Sequence, residues 1–435
     1  MVGFPQGRDE MGRRISGLAM VLFMLAGVLS AHATITPARH RHRMIAASTS
    51  HRLVAHSIRR TRAGAAYGHA EVVHVAGRVS AHGRAAMVRV SARRGRIRYY
   101  GERFTASSFT DANILTANDV TAGEDPVVRA AAIEALGNMN GTVLAIDPSD
   151  GRILAMVNQK LALSAGAEPC STIKVAVALA ALKEGLIKND TPVNLGGHYA
   201  VDLTHALARS INLYFEVLGR SMGFERVKHY ANEFGLGELA GYNIPGEHLG
   251  VYPDTELPAA SGGVGRMCSF GESISMTPLQ LGALVSAIAN GGTLYYLQHP
   301  TTQAEVTSFQ PQVKRLLDIK DVIPQILPGM EGAVDFSNGT ARSLRTNFVQ
   351  FPVFGKTGTC SDNGTRFGWF VSYGDAPTGR IVTVVFLEGG RDTFGPKAAE
   401  LTGQFYRAMF DRNYFLQSKP ETTAALVGSG GAAQQ

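Results

Sequence analysis

Ser171 and Lys174 stand three positions apart in "EPCSTIKVAVALAALKEG", residues 168–185. A serine hydroxyl becomes a nucleophile when a neighbouring base takes its proton, and a lysine that burial has deprived of its charge is such a base. A spacing of three places the two side chains on one side of a helix, one turn apart. A chain of this length holds roughly one or two Ser-x-x-Lys patterns by chance. Here, however, Ser171 is the only serine with a lysine three positions on.

Two further patterns follow in order. Ser210-Ile211-Asn212 lies inside the apolar-periodic stretch "LTHALARSINLYFEVLGRSM", and Lys356-Thr357-Gly358, followed by Thr359, lies in the strand-like "VFGKTGTC". A second Ser-x-Asn, Ser361-Asp362-Asn363, falls in "CSDNGTR" between two strand-like runs and reads as ordinary hairpin chemistry. Each residue also has a structural reading. Lys174 as a surface lysine is disfavoured by the apolar run after it, Asn212 suits a helix cap, Trp369 suits the core, and Glu272 suits a structural or solvated position.

The elements that must hold these residues are legible in outline. The segment from Ser171 through Leu182 is apolar on several faces, which predicts a buried helix with Ser171 at its N-terminus. There the helix dipole favours a developing anion and disfavours a protonated Lys174. "TVLAIDPSDGRILAMV" predicts a hairpin turned at Asp-Pro-Ser-Asp-Gly, and "AAIEAL" predicts a helix. "TPLQLGALVSAIANGG" predicts a helix capped by Thr277, with Pro278 first and Gly291 at its end. Near the C-terminus three strand-like runs are separated by "SDNG" and "APTG", and a helix over about 396–411 follows. Strands, then helices, then strands plus a helix give an α+β class: an antiparallel sheet flanked by helices, with a mostly helical subdomain.

Composition divides the chain. Residues 34–103 carry 15 Arg against Glu71 and Glu102, so the net charge of +7 conceals an acidic remainder. Residues 34–104 read as an Arg/His/Ala-rich disordered linker, with an electrostatic tether to a membrane surface or an anionic envelope polymer as the functional alternative. Ahead of it, Arg13 and Arg14 precede the apolar run Ile15–Leu29 and a small-x-small pair, Ala31 and Ala33. Residues 1–33 thus predict a secretory signal or a retained N-terminal anchor, and an exported chain. The folded domain is expected over 105–415, with a disordered tail over 416–435. Three cysteines allow one internal disulfide at most, and neither a metal site, a cofactor nor a nucleic-acid partner is expected.

Over about 141–412 the sequence resembles the penicillin-binding transpeptidases, the serine DD-peptidases that share a fold with serine β-lactamases. "VLAIDPSDGRILAMV", "STIK", "ALARSINLYFEVLG", "FGESISMTPLQLGALVSAIANGG", "GKTGT" and "GWFVSYG" carry the resemblance. It implies that Ser171 attacks the penultimate D-Ala carbonyl of a peptidoglycan stem peptide and that Lys174 accepts its proton. Ser210 would relay a proton to the leaving amine, Asn212 would hold the substrate amide and Lys174, and Lys356 would supply positive potential. Thr357 and Thr359 would bind the terminal carboxylate of the peptide or of a β-lactam antibiotic, and Gly358 would keep the cleft clear. The backbone N–H groups of Ser171 and Thr359 would form the oxyanion hole.

Against the family pattern, Cys170 stands where Gly is usual, and the approach from Val157 to Ser171 is short. No glycosyltransferase-like motif is present. All three cysteines neighbour these motifs, and Cys360 is expected close enough to one of the others for a disulfide. Two other functions stay open: a class D-like serine β-lactamase, and a non-catalytic β-lactam or muropeptide sensor or scaffold.

Overall fold

The computed structural model describes residues 103–416. The expected leader, all but the last two residues of the Arg-rich linker and all but the first residue of the expected tail lie outside the described residues.

A five-stranded antiparallel sheet runs through the domain. The DPSDG hairpin joins β1 (Gly141–Ile146) to β2 (Ile153–Val157), and three C-terminal strands, β3 (Val353–Asp362), β4 (Thr365–Ala376) and β5 (Gly379–Gly389), complete it. The spatial order is β2-β1-β5-β4-β3, which puts β3 at an edge. In the hairpin turn the Asp147 carboxylate accepts from the Ser149 backbone N–H at 3.0 Å and from its hydroxyl at 2.6 Å. Gly151 supplies the positive φ of +79°.

Alternation along the strands splits the sheet between two cores. Leu144, Ile146, Trp369, Val371, Val384 and Phe386 face one, whereas Val143, Ala145, Phe370, Val385 and Leu387 face the other. Both faces are covered, which is why these strands are apolar throughout rather than half polar. On the second face lie helices α1 (Pro126–Leu136) and α8 (Gly395–Asp411).

The first face carries the helical subdomain. It comprises α2 (Lys174–Lys183), α3 (Leu203–Ala208), α4 (Asn212–Met222), α5 (Gly263–Phe270) and α7 (Ile323–Asp335). Between it and the sheet runs α6 (Pro278–Asn290), buried along almost its whole length. Thr277 caps α6 in a full capping box with Gln280, Pro278 opens it and Gly291 ends it at φ +91°. At Gly282 an added Cβ would lie 2.6 Å from Ile146 Cδ1, so this glycine lets α6 lie directly on the sheet. Helix α2 is buried from Lys174 to Leu182, the pattern of a helix enclosed on all sides. Among the described residues no helix is long and apolar enough to cross a membrane.

Candidate active site

Three local backbone features assemble the site. Cys170–Ile173 forms a 3₁₀ turn that leads directly into α2, so Ser171 sits just ahead of the α-helix rather than within its first turn. The apolar-periodic stretch over 203–222 folds as two helices. Helix α3 ends at Ala208, Ser210 adopts φ +55°, and α4 starts at Asn212. This break swings Ser210 and Asn212 toward α2. The third feature is β3, whose edge position presents Lys356–Thr359 to the same cleft.

These elements bring the predicted residues together. Lys174 Nζ lies 2.9 Å from Ser171 Oγ, 3.0 Å from Ser210 Oγ, 3.1 Å from the Ser210 carbonyl oxygen and 2.6 Å from Asn212 Oδ1. Lys356 Nζ lies 2.9 Å from the same Ser210 Oγ and donates to the Thr357 carbonyl at 3.0 Å. Both lysines are fully buried. Asn212 is thus the first residue of its helix but does not cap it; its amide oxygen is spent on Lys174.

Four oxygens around one nitrogen constrain its protonation. The Ser210 carbonyl and Asn212 Oδ1 can only accept, so they take two N–H bonds. A neutral amine then has one lone pair left, and it faces the two hydroxyls. Among the described residues no carboxylate hydrogen-bonds to either lysine nitrogen. Burial, and next the Lys356 charge, hold Lys174 well below the ordinary lysine range, with Glu216 opposing weakly. Burial alone pushes Lys356 down to about 7. With its charged form disfavoured, Lys174 can take a proton from Ser171, and Ser210 can pass one on.

The wall formed by β3 is closely fitted. Gly358 faces the Ser171 turn, where an added Cβ would lie 2.8 Å from the Pro169 carbonyl oxygen. Thr359 is exposed in the cleft, and its Oγ1 accepts from the Gly395 N–H at 2.8 Å. Thr357 is buried, with its Oγ1 2.7 Å from Thr340 Oγ1. Thr340 also donates its backbone N–H to the Ala208 carbonyl at 3.2 Å, which links β3 to the break before Ser210. Sequence reasoning missed Thr340, because nothing near "NGTAR" marks a contact made across the fold. A disulfide joins Cys170 to Cys360, and Cys268 is a buried free thiol. Trp369 is core: it stacks on Phe386 and donates Nε1–H to the Glu168 carbonyl at 3.0 Å. Glu272 pairs with Arg266 at 2.7 Å.

An apolar-cored mixed fold with a serine, two buried lysines and an open sheet edge at one cleft has the parts of a serine acyl-transfer site. Residues 141–407 match the family model described as "Penicillin binding protein transpeptidase domain", and the chain belongs to that family. It is 28% identical over 316 residues to stage V sporulation protein D of Bacillus subtilis, covering 63% of this chain and 48% of that protein. To the peptidoglycan D,D-transpeptidase MrdA of Acinetobacter baumannii it is 24% identical over 361 residues, 65% of this chain and 52% of the other. The chain therefore spans about half the length of these two curated relatives. Among solved structures, Pseudomonas aeruginosa PBP2 in complex with WCK 5153 shares the fold. The TM-score is 0.57 at 22% identity, over 70% of this chain and 81% of that one.

Proposed function

We propose that this protein is an exported, envelope-facing penicillin-binding serine D,D-transpeptidase that acts on D-Ala-D-Ala stem peptides through an acyl-enzyme on Ser171. The observation that carries this reading is Lys174 Nζ, buried, 2.9 Å from Ser171 Oγ and held by Asn212.

Neutral Lys174 takes the Ser171 proton as Oγ attacks the penultimate D-Ala carbonyl. The tetrahedral oxyanion lies between the backbone N–H groups of Ser171 and Thr359. Ser210, bonded to both lysines, delivers a proton to the departing D-Ala nitrogen, and the C–N bond breaks to leave an ester. Lys356, Thr357 and Thr359 hold the terminal carboxylate, and the free edge of β3 pairs with the peptide backbone as an added strand. The amine of a second stem peptide then attacks the ester carbonyl and gives up a proton to the Ser210–Lys174 pair; the ester C–O bond breaks, Lys174 returns the proton to Ser171 Oγ, and the new amide is the cross-link. Water in place of the amine makes the same site a carboxypeptidase. A β-lactam enters by the same first step, with its ring C–N bond opened. In this reading residues 34–104 tether the domain to a membrane surface or an anionic polymer.

The test is incubation of the purified protein with a fluorescent penicillin, followed by intact-mass analysis over time, with Ser171→Ala beside it. A lasting adduct absent from the variant is expected. An adduct that is lost within seconds would make the protein a β-lactamase, and no adduct at all would make it a scaffold.

A further inference from the structure

No step of the acyl-transfer mechanism involves the Cys170–Cys360 bond. We propose that this disulfide is a positioning element: it fixes the distance between the Ser171 nucleophile and the carboxylate-holding end of β3, and thereby favours ligands that span the two. The proposal rests on the transpeptidase reading and goes beyond it.

Four observations place the bond there. Cys170 immediately precedes the nucleophile, and Cys360 immediately follows Thr359, so residues 190 apart in sequence are tied at a Cα separation of 5.6 Å. Cys170 holds φ +51°, a conformation that non-glycine residues adopt only when their surroundings impose it. Those surroundings are the cross-link, the Glu168 carbonyl held by Trp369 Nε1, and Pro169, against which a Cβ at Gly271 would fall at 2.5 Å. On the other wall β3 is an edge strand, paired on one side only. Among the described residues no strand pairs with its far side, where a ligand would lie. A covalent bond from that edge to the nucleophile's own turn supplies the missing restraint within one residue of both contact points.

The bond is open to chemistry from one side. Cys170 is 1% exposed and Cys360 is partly exposed, so an attacking thiolate reaches the Cys360 sulfur and expels the Cys170 thiolate. With a dithiol reductant the second thiol closes the exchange: the reductant becomes a cyclic disulfide and the protein gains two thiols. Cys268 stays silent throughout, since full burial pushes its thiol up to about 12.

The experiment compares the full chain, oxidised and after dithiothreitol reduction, using benzylpenicillin and its methyl ester. Second-order rates of Ser171 adduct formation are read by intact mass, and melting midpoints are recorded alongside. Reduction is expected to slow benzylpenicillin at least tenfold and the ester less than twofold, with reoxidation restoring the first rate. The double variant Cys170→Gly/Cys360→Ser, which accepts the positive φ without the bond, should behave like the reduced protein. Equal slowing of both ligands would mean that the bond only stabilises the fold, and unchanged benzylpenicillin rates would mean that it positions nothing; either overturns the proposal. Failure of the oxidised protein to acylate at all would instead overturn the transpeptidase reading.

Discussion

Replacing Gly358 by Ala tests how closely β3 is fitted to the nucleophile's turn. The new Cβ would lie 2.8 Å from the Pro169 carbonyl oxygen, 3.1 Å from Thr172 Cγ2 and 3.2 Å from Trp369 Cβ. Ordinary contact begins at 3.4 Å, so the carbonyl is about 0.6 Å too close. None of these neighbours is the free end of a flexible side chain. Retreat of the strand would disturb its contact on the other side, where the Gly395 N–H donates to Thr359 Oγ1 at 2.8 Å. Overpacking of this kind costs ~1–3 kcal/mol, which for a domain of this size lowers the melting midpoint by roughly 1–5 °C. A displacement of 1 Å at reacting atoms can cost about a hundredfold in rate, so half of that predicts a loss of roughly tenfold in acylation. The assay is the benzylpenicillin acylation rate together with thermal unfolding followed by circular dichroism. Gly358→Ala that melts within 1 °C of the parent and acylates within about twofold would refute the fit described here.

Two further outcomes follow from the same geometry. Acylation requires uncharged Lys174, so its rate should rise with pH through the lowered pKa of that lysine. Lys356→Met removes a like charge, favours protonated Lys174 and should move the rising limb to higher pH; an unmoved or lowered limb counts against the electrostatic account. Thr340→Val strips Thr357 Oγ1 of its half-buried partner and should slow benzylpenicillin acylation by about fivefold, matching a loss of ~1 kcal/mol for one hydrogen bond. A parental rate would show that Thr340 does not orient Thr357.

Much of this site was legible because its chemistry coincides with periodic elements. The hairpins are marked by Asp-Pro-Ser-Asp-Gly, Ser-Asp-Asn-Gly and Ala-Pro-Thr-Gly, and α6 by Thr277, Pro278 and Gly291, all residues with a mechanical reason to stand at turns and ends. The break at Ser210 had no such marker. No Gly or Pro interrupts "ALARSINLYF", and the apolar spacing continues across it, so the kink is imposed by tertiary contacts: Lys174 and Lys356 both bind the Ser210 hydroxyl. The cysteine partner was likewise invisible, because nothing in a spacing of 190 says which of two candidates lies near Cys360. Thr340 shows the same limit, since its worth comes from a residue 17 positions away on another element.

The order of strands sets when the molecule can become whole. Strand β1 pairs with β2 on one side, but its other partner is β5, in register from Gly141 opposite Leu387 to Ile146 opposite Val382. As the chain emerges from synthesis, the early hairpin must wait with an apolar edge uncovered until the last three strands arrive. Such long-range pairing is slow, and waiting edges invite misassociation. Ser171 and Lys174 are made early, whereas Lys356 comes after almost the whole helical subdomain. The two halves of the chemistry therefore meet only when the sheet closes, and a chain cut short before Gly379 would lack β5 and leave β1 without its central neighbour.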